Sequence, residues 1–291
     1  MIKRRFLLGE EWLYFKIYCG VRTADTILEE LVATLTQALL EEKAITSWFF
    51  IRYGDPDPHI RLRLKISDKS ELGLIIDSFN KLVVPYLEDQ LIWNVQTDSY
   101  VREIERYGSN TMEICEDLFF YDSEFVLRVL NLIKDEELYF LYQLKGIDMF
   151  VDLFDLNEKE KLGFYQEGSL SYKNEFGVGK ATKTSLDKKY RASMPKFSAI
   201  MNHSNGLTET NTIMSTLNRK NVLMNPLVKD ILKENKSRSL EVPLSNLMAS
   251  LVHMNVNRAF RDQQRFFELM AYDFLARYQN SKIKRLKKTT T

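Results

Sequence analysis

The sequence predicts an α+β fold, in which an antiparallel or mixed sheet built mainly from the N-terminal third packs against helices. Alternation of hydrophobic and polar residues is confined mainly to residues 1–110, whereas helical spacing dominates residues 111–280. No internal repeat divides the chain. We expect one domain over residues 1–291, with a helix-rich C-terminal half and a basic tail over residues 281–291.

The predicted strands cover residues 12–18, 47–52, 59–66 and 92–102. A Pro- and Gly-containing turn, residues 54–58, joins the second and third strands into an antiparallel hairpin. In the first strand Leu13, Phe15 and Ile17 share one face, and aromatic residues with Lys16 share the other.

Helical spacing predicts the remaining elements. The expected helical segments cover residues 26–39, 70–88, 111–166, 207–218, 223–233, 243–258 and 260–279. Residues 167–196 are rich in Gly, Ser and Lys, so we expect a long loop there that crosses an active-site mouth. Asp122 or Ser123 is the predicted N-cap of a helix over residues 124–133.

Composition excludes several classes of protein. The chain has 291 residues, of which 45% are hydrophobic, as expected for a globular protein with a sizeable core. A net charge of +1 is too small for a general nucleic-acid binder, so we do not expect direct nucleic-acid binding. No segment has the pattern of a signal peptide or of a membrane span. The isolated Cys19 and Cys115 form no disulfide framework, which favours a reducing cytoplasm.

One side of the third predicted strand carries the polar residues His59, Arg61, Arg63 and Lys65. A solvated surface strand would explain this pattern. A site for a carboxylate would explain it too, because a guanidinium grips a carboxylate with two parallel hydrogen bonds. The aromatic residues of 48–53 and of 12–18 favour the second interpretation, since they can wall a pocket. The residues alone do not decide between a solvated surface strand and a carboxylate site.

A second polar cluster contains Tyr100, Glu103, Glu105 and Arg106. We expect its carboxylates to pair with the hairpin arginines, because a buried arginine without a counter-charge is costly. Direct acid catalysis by these carboxylates is the alternative. Glu116 has no assigned role.

The histidines have different prospects. His253 and Asn257 are four residues apart and share a helix face. An imidazole titrates near pH ~6.5, which suits a general base or acid, although a histidine bonded within a helix interface has the same pattern. His59 is expected to orient an arginine or the substrate, and His203 to be exposed. Three such scattered histidines predict no zinc site.

Five motifs, taken in order, resemble the C-terminal domain of class I lantibiotic dehydratases, which also occurs in thiopeptide-type bacteriocin biosynthesis proteins. They are WLYFKIY, WFFIRYGDPDPHIRLRL, YVREIERYG, CEDLFFYDS and HMNVNR. The resemblance extends from residue 12 to about residue 278 and so covers nearly the whole chain.

The resemblance implies a stand-alone elimination-type domain over residues 1–291, a cytoplasmic lyase without a cofactor or a metal. Such an enzyme removes glutamate from glutamylated Ser or Thr of a ribosomally made precursor peptide and leaves dehydroalanine or dehydrobutyrine. Its expected partners are that peptide, a separate tRNA-dependent glutamylation protein and a cyclase. The alternatives are the formal cycloaddition that forms the pyridine of thiopeptides, and a non-catalytic relative that binds the leader peptide.

The resemblance also implies roles for individual residues. His253 matches the histidine of the family motif, Arg52 matches a motif arginine, and Arg61 and Arg63 match the two HxRxR positions. These four are the predicted catalytic residues, with no choice made between Arg61 and Arg63. The predicted substrate-binding residues are Lys16, His59, Tyr100, Glu103, Glu105, Arg106, Asn257 and Arg258.

Overall fold

The computed structural model describes residues 2–202 and 208–289, without the side chains of residues 208–210, 288 and 289. It confirms the α+β class, with an antiparallel sheet from the N-terminal region and a helix-rich C-terminal half. In the described part of the chain, no helix combines the length and apolar character that crossing a bilayer requires. His203 lies outside the described residues.

The chain divides into two compact units. The first comprises Met1–Asn131 and Lys233–Asp262, and the second comprises Leu132–Leu232 and Gln263–Thr291. This division into units does not test the prediction of one domain over the whole chain, which stays a prediction.

The first unit contains the sheet and the helices that flank it. Its strands are β1 (Arg5–Phe6), β2 (Trp12–Cys19), β3 (Ile45–Tyr53), β4 (His59–Ile66), β5 (Ile92–Thr97) and β6 (Tyr100–Val101). Its helices are α1 (Thr23–Thr26), a π-helical segment (Ile27–Val32), α2 (Ala33–Glu41), a 3-10 turn (Lys69–Glu71), α3 (Leu72–Glu88), α4 (Ile104–Tyr107), nearly all of α5 (Met112–Leu132), and α10 (Leu244–Ala259).

The main sheet has the strand order β3-β4-β2-β5, and all its strand pairs are antiparallel. The predicted hairpin of β3 and β4 is confirmed. The single strand expected over residues 92–102 is wrong, because β6 leaves this sheet and pairs with β1. The chain turns at Asp98, whose carboxylate accepts a hydrogen bond from the Ser99 N–H (2.6 Å).

One face of the main sheet is apolar. Leu13 and Ile17 of β2 lie beside Ile60 and Leu64 of β4, and all four are fully buried. Phe15 on the same face stacks on Phe79 of α3 with 4.1 Å between ring centroids. We call this the core face.

Side chains from two helices close the β3 edge of the sheet. The Phe50 N–H donates to Ser123 Oγ of α5 (3.3 Å), and Arg258 Nε of α10 donates to the Phe50 carbonyl (2.9 Å). The Asn257 amide accepts from the Arg52 N–H (3.0 Å) and donates to the Arg52 carbonyl (2.9 Å). These bonds engage backbone groups of β3 that would otherwise be free to pair with a strand of another chain.

The N-cap predicted at Asp122 or Ser123 is wrong, because both residues lie inside α5. Asp122 is buried and accepts hydrogen bonds from Asn255 (2.7 Å) and Arg258 (3.1 Å). These two polar residues therefore tie α5 to α10 and to the sheet edge.

The described residues of the second unit form helices and the short connections between them, without a strand. Its helices are α6 (Glu136–Asp152), α7 (Glu158–Glu175), α8 (Lys180–Met201), most of α9 (Thr208–Lys236), and α11 (Gln264–Thr289). Two helices were predicted over residues 207–218 and 223–233, whereas α9 is one continuous helix. It continues because residues 219–222, between the two predicted helices, contain no helix breaker.

The long loop predicted over residues 167–196 is wrong, because α7 and α8 occupy most of that segment. Its glycine signal has a packing cause. A Cβ at Gly168 would clash with the ring of Tyr272, so glycine permits α7 and α11 to approach closely. The many Lys residues of α8 lie on its exposed side, where they favour a helix as readily as a loop.

The basic tail expected over residues 281–291 is helical as far as Thr289, since α11 continues into it. Lys and Arg are good helix formers, and cations near a helix C-terminus are favoured by the helix dipole. Lys282 also forms an ion pair with Glu158 (2.8 Å).

Candidate active site

The strand register arranges the polar residues of β2 and β4 in a ladder on the face opposite the core. Tyr18 lies opposite His59, Lys16 opposite Arg61, and Tyr14 opposite Arg63. We call this surface the cationic face and define it by Lys16, His59, Arg61 and Arg63. The prediction that aromatic residues of β2 flank the hairpin arginines is confirmed.

Arg63 is the most enclosed cation of this face. Its side chain is 8% exposed, and its guanidinium carbon lies 4.5 Å from the ring centre of Tyr14, 4.8 Å from that of Tyr100 and 5.2 Å from that of Phe49. Arg63 Nε is buried, and no described residue accepts a hydrogen bond from it. Cation–π contacts offset only part of the cost of burying a charge, so an anion would complete this environment.

Arg61 is more exposed and is held by two contacts. Its guanidinium lies 3.4 Å from the ring centre of Tyr53, and its Nε donates to His59 Nε2 (3.0 Å). Since His59 Nε2 is the acceptor, Nδ1 carries the proton and donates to the Asp57 carbonyl (2.8 Å). His59 is therefore a neutral imidazole that orients Arg61.

The electrostatics of His59 agree with this tautomer. Burial lowers the pKa of His59, and the charges of Arg61 and Lys16 lower it further, while the hydrogen bond to Asp57 acts in the opposite direction. Lys16 itself is paired with Asp98 (2.5 Å), and this hydrogen bond raises the pKa of Lys16.

Arg52 does not belong to the cationic face. It lies opposite Ile60, so its side chain points to the core face. There its guanidinium donates to Asp25 (2.6 Å) and to the Arg258 carbonyl (2.9 Å), and Arg261 also pairs with Asp25. Arg61 and Arg63 lie opposite Ile51 and Phe49, so they share the other face of the sheet, because residues of a strand alternate between its faces. A catalytic role for Arg52 stays an untested prediction.

Asn257 and Arg258, predicted to bind substrate, are engaged with the protein. Arg258 is fully buried, with its guanidinium carbon 4.7 Å from the ring centre of Phe119 and NH1 3.1 Å from Asp122. Burial lowers the pKa of Arg258 against the effect of Asp122. With Asn257, it connects α10 to the β3 edge.

The acidic residues of the YVREIERYG motif do not pair with the hairpin arginines. Glu105 pairs with Arg4 (2.6 Å) and Glu103 with Arg106 (3.4 Å), and these ion pairs are largely exposed. The alternation argument fails because β6 ends at Val101 and the short helix α4 follows.

Glu116 supplies the buried counter-charge of this motif. It accepts two hydrogen bonds from Arg102 (2.6 and 2.8 Å) and one from the Tyr100 hydroxyl (2.7 Å). Burial raises the pKa of Glu116, although Arg102 favours the charged form. Tyr100 therefore connects this ion pair to the aromatic wall of Arg63.

An open cleft of about 500 Å³ lies between this motif and the start of α10. It is lined by Glu103, Glu105, Arg106, Val242, Pro243, Asn246 and Ser250. His253 is half-buried and follows Asn246 and Ser250 at helical spacing, so it shares their side of α10. The histidine and the acidic motif thus belong to neighbouring parts of the first unit.

Several residues that shape the site had no signal in the sequence. Asp25 and Asp98 supply counter-charges from positions distant in sequence from Arg52 and Lys16. Tyr53 lies just beyond the predicted strand over residues 47–52, and the observed register places it opposite His59, where its ring contacts Arg61.

The sequence matches a known family over most of its length. The model of the family described as lantibiotic biosynthesis dehydratase C-term matches residues 12–279. The nisin biosynthesis protein NisB of Lactococcus lactis subsp. lactis is 34% identical over 141 residues, which are 46% of this chain and 13% of NisB. The subtilin biosynthesis protein SpaB of Bacillus subtilis is 30% identical over 173 residues, which are 57% of this chain and 17% of SpaB. The chain thus matches a small part of the length of either relative.

Solved structures with the same fold include a dehydratase and a pyridine synthase. The tRNA dependent lantibiotic dehydratase MibB from Microbispora sp. 107891 has a TM-score of 0.72 and 18% identity, and the likeness covers 96% of this chain and 29% of MibB. The pyridine synthase TbtD from thiomuracin biosynthesis has a TM-score of 0.66 and 11% identity, over 93% of this chain and 99% of TbtD. These two likenesses concern the fold alone. The family match extends across nearly the whole chain, and this protein therefore belongs to the family of lantibiotic dehydratase C-terminal domains.

Proposed function

We propose that this protein performs the elimination half of dehydration. It would remove glutamate from glutamylated Ser or Thr residues of a ribosomally made precursor peptide and leave dehydroalanine or dehydrobutyrine. Membership of a family of dehydratases supports an enzymatic role. The choice of elimination rests on the chemistry of the cationic face.

Elimination places defined demands on the site. A base takes the proton from Cα of the glutamylated residue, and the electron pair of that C–H bond is first delocalised onto the adjacent carbonyl. The pair then forms the Cα–Cβ double bond as the Cβ–O bond breaks, and glutamate leaves as a carboxylate with the electron pair of that bond. Negative charge develops first on the carbonyl next to Cα and then on the leaving group, so the site needs a base and fixed cations.

The observation that carries the proposal is the environment of Arg63. Its guanidinium is enclosed by the rings of Tyr14, Phe49 and Tyr100, and no described carboxylate is paired with it. A solvated surface arginine would not be buried, and a structural buried arginine would have a counter-charge. We assign Arg63 to the carboxylate or the developing oxyanion, where the guanidinium is fixed before the substrate arrives.

Arg61 is assigned to the second anionic group of the substrate. The substrate carries the free carboxylate of the glutamyl group as well as the carboxylate that forms on cleavage, so two guanidiniums are useful. Stacking on Tyr53 and the bond from Nε to His59 leave the terminal nitrogens of Arg61 to face the ligand. In this proposal His59 is a positioning residue.

His253 is the proposed proton acceptor. Its support is the family motif and its location on the side of α10 that lines the cleft with Asn246 and Ser250. The peptide would occupy that cleft, with Glu103 and Arg106 contacting its backbone or side chains. Arg52, Asn257 and Arg258 would stabilise the sheet edge that supports the hairpin.

The direct test is elimination from a defined substrate. The chain is incubated with a peptide that carries glutamylated Ser, and mass spectrometry follows the loss of glutamate to dehydroalanine. We expect wild type to react, His253→Ala to lose activity, and Arg63→Lys to lose most activity because lysine keeps the charge but lacks the fork. An unreactive wild type on glutamylated peptides would contradict the proposal, as would an Arg63→Lys variant with full activity.

Formal cycloaddition is the second candidate. The fold of TbtD, a pyridine synthase, is matched over 99% of that chain. This reaction would need a peptide that already carries two dehydroalanines and would release its leader. If the protein converts such a peptide and leaves glutamylated Ser intact, cycloaddition is the function. Binding of the leader peptide with neither reaction would identify a non-catalytic relative.

The partners are also proposals. Elimination requires that a tRNA-dependent glutamylation protein has first esterified the hydroxyl group, and a cyclase would consume the dehydro residue. Co-expression with a glutamylation protein should convert Ser of the peptide to dehydroalanine, and omission of either protein should stop the conversion.

A further inference from the structure

The two edges of the main sheet differ. Side chains of α5 and α10 occupy the β3 edge, as described above. At the other edge β5 has one neighbour, β2. Its six residues, Ile92–Thr97, include neither a charge nor a proline, although these are the common means of keeping a free edge from pairing.

The register shows which backbone groups of β5 are free. The Asp98 N–H donates to the Tyr14 carbonyl (3.2 Å), and Gln96 lies opposite Lys16, two residues further along each strand. Because bonded pairs alternate in an antiparallel ladder, Val95 and Thr97 direct their N–H and C=O groups away from β2. No described residue bonds to these outward groups.

Apolar side chains flank the start of this edge. A bulge places Ile92 and Trp93 opposite Cys19, and the Trp93 side chain is 51% exposed. Leu91 directly precedes the strand and is exposed.

The neighbouring helix extends this apolar surface. Val84 and Leu87 of α3, which contacts β5, are also exposed and share one flank of the helix. A different flank of α3 holds Tyr86, whose hydroxyl donates to Glu30 (2.9 Å). The edge therefore adjoins an exposed apolar surface of Val84, Leu87, Leu91 and Trp93.

The other side of β5 is polar. Asn94 and Gln96 lie on the cationic face beside Tyr18 and Lys16, and the Tyr18 hydroxyl donates to Gln96 (3.3 Å). An added strand would present its side chains alternately to the apolar surface and to this polar one. Lys16 and Arg61 outnumber the single carboxylate of Asp98 there, which favours acidic side chains on that side.

We propose that the outer edge of β5 binds an extended peptide by strand addition. The peptide would alternate apolar side chains, which contact Trp93 and Leu87, with acidic ones, which face Asn94 and Gln96. The inference rests on the proposed function for the identity of this peptide, a segment of the precursor. Strands lie about 4.8 Å apart, so the bound segment would lie about 14 Å from β4, a distance that a few residues of the same peptide span.

Synthetic probes test the mode of binding. A short fluorescein-labelled peptide of alternating glutamate and valine is titrated with the full chain, and fluorescence anisotropy reports binding. Two isomers carry N-methyl groups, either on every glutamate or on every valine. In an added strand only alternate N–H groups bond to β5, so we expect one isomer to bind like the parent and the other at least about tenfold more weakly. Equal binding of both isomers would overturn the proposal.

Variants of the edge locate the site. Val95→Pro removes an outward N–H without removing a bond to β2, and proline is tolerated in edge strands. We expect Val95→Pro and Trp93→Ala to lower the affinity for the labelled peptide at least about tenfold. The circular dichroism spectra of both variants should be unchanged. Val95→Thr keeps the N–H, and Val222→Ala removes an exposed apolar residue of the second unit, so both should bind normally. Wild-type affinity in a folded Val95→Pro would refute the assignment.

The outcomes also separate this proposal from the proposed function. Val95→Pro should still eliminate glutamate from a short glutamylated substrate that does not reach the edge. Peptide binding that depends on Val95 in a protein without elimination activity would leave the docking edge standing and refute the reaction. A wild-type dimer in sedimentation velocity that Val95→Pro dissociates, without peptide binding, would identify a second copy of the chain as the occupant instead.

Discussion

Two arginines of the same hairpin lie in opposite electrostatic environments. Arg52 points to the core face, where Asp25 and the Arg258 carbonyl accept its hydrogen bonds. Arg63 points to the cationic face, where three aromatic rings surround it and no described carboxylate pairs with it. Both are nearly fully buried. Burial alone therefore does not distinguish a structural arginine from one that awaits a ligand; the presence of a counter-charge does.

This difference separates stability from function. The charge of Arg52 is compensated within the protein, so its loss should be felt in folding. Among the described residues, only aromatic rings offset the charge of Arg63, so its loss should be felt in ligand binding and catalysis. Substitutions of Asp25, Arg63 and His59 can therefore separate effects on stability from effects on catalysis.

Asp25→Ala should produce the largest loss of stability. The substitution leaves Arg52 buried without its carboxylate and also removes the partner of Arg261. Breaking a buried ion pair from one side costs about 3–5 kcal/mol, which chemical denaturation would measure. Asp77→Ala is the matched control, because its pair with Lys81 is exposed and worth less than about 1 kcal/mol. Similar losses in both variants would mean that the Arg52 pair is not structural.

Arg63→Met should show the opposite behaviour, with stability retained and elimination activity lost. Methionine fills similar volume among the rings of Tyr14, Phe49 and Tyr100 without a charge to desolvate, so the free energy of unfolding should change by less than about 1.5 kcal/mol. Elimination of glutamate should fall at least about a hundredfold, as when one preorganised donor is removed from an oxyanion site. Arg52→Met, measured alongside, should be destabilised instead. A stable and active Arg63→Met would remove the functional half of the comparison.

How far the sequence predicted this arrangement depends on the range of each interaction. The hairpin and the shared face of His59, Arg61 and Arg63 follow from alternation and turn chemistry, which act over a few residues. The partner of Arg52 does not, because Asp25 approaches it only when α1 packs on the sheet. Arg52 and Arg61 lie on opposite faces because Arg52 pairs with Ile60, and this pairing was not predicted from the sequence.

Other failures have the same origin. Gly168 was interpreted as a loop residue because a close approach to Tyr272, more than a hundred residues away, has no local signature. Glu103 and Glu105 were expected to act as counter-charges because the strand was extended past Val101, whereas Glu116 fills that role for Arg102 from α5. The hairpin and its alternating faces were therefore predicted from local chemistry, whereas the end of β6, the helix over residues 167–175 and the partners of the buried charges depend on tertiary packing.

His59→Leu should have an intermediate effect, on catalysis more than on stability. Leucine removes the acceptor that fixes Arg61 Nε, so Arg61 should become mobile and kcat/KM should fall about tenfold, the value of one hydrogen bond to a charged group. His59→Gln keeps an acceptor near that position and should recover part of the loss. If both variants are equally impaired, the bond to Arg61 is not the reason for the defect.

The smallest expected effect is on the pH dependence of stability. Burial lowers the pKa of His59 in the folded protein, whereas the unfolded chain titrates near its ordinary value of about 6.5. The unfolded state therefore binds a proton more readily, and the stability that neutral His59 contributes is complete above about pH 6.5 and is lost as the pH falls through the lowered pKa.

Melting temperatures at about pH 7.5 and about pH 5.5 should show a larger loss on acidification for wild type than for His59→Gln. Lys16 also faces the ring, and its hydrogen bond to Asp98 raises the pKa of Lys16, so it contributes no step of its own in this range. An equal fall in melting temperature in the two proteins would mean that folding does not lower the pKa of His59. The neutral tautomer that orients Arg61 would then lose its support.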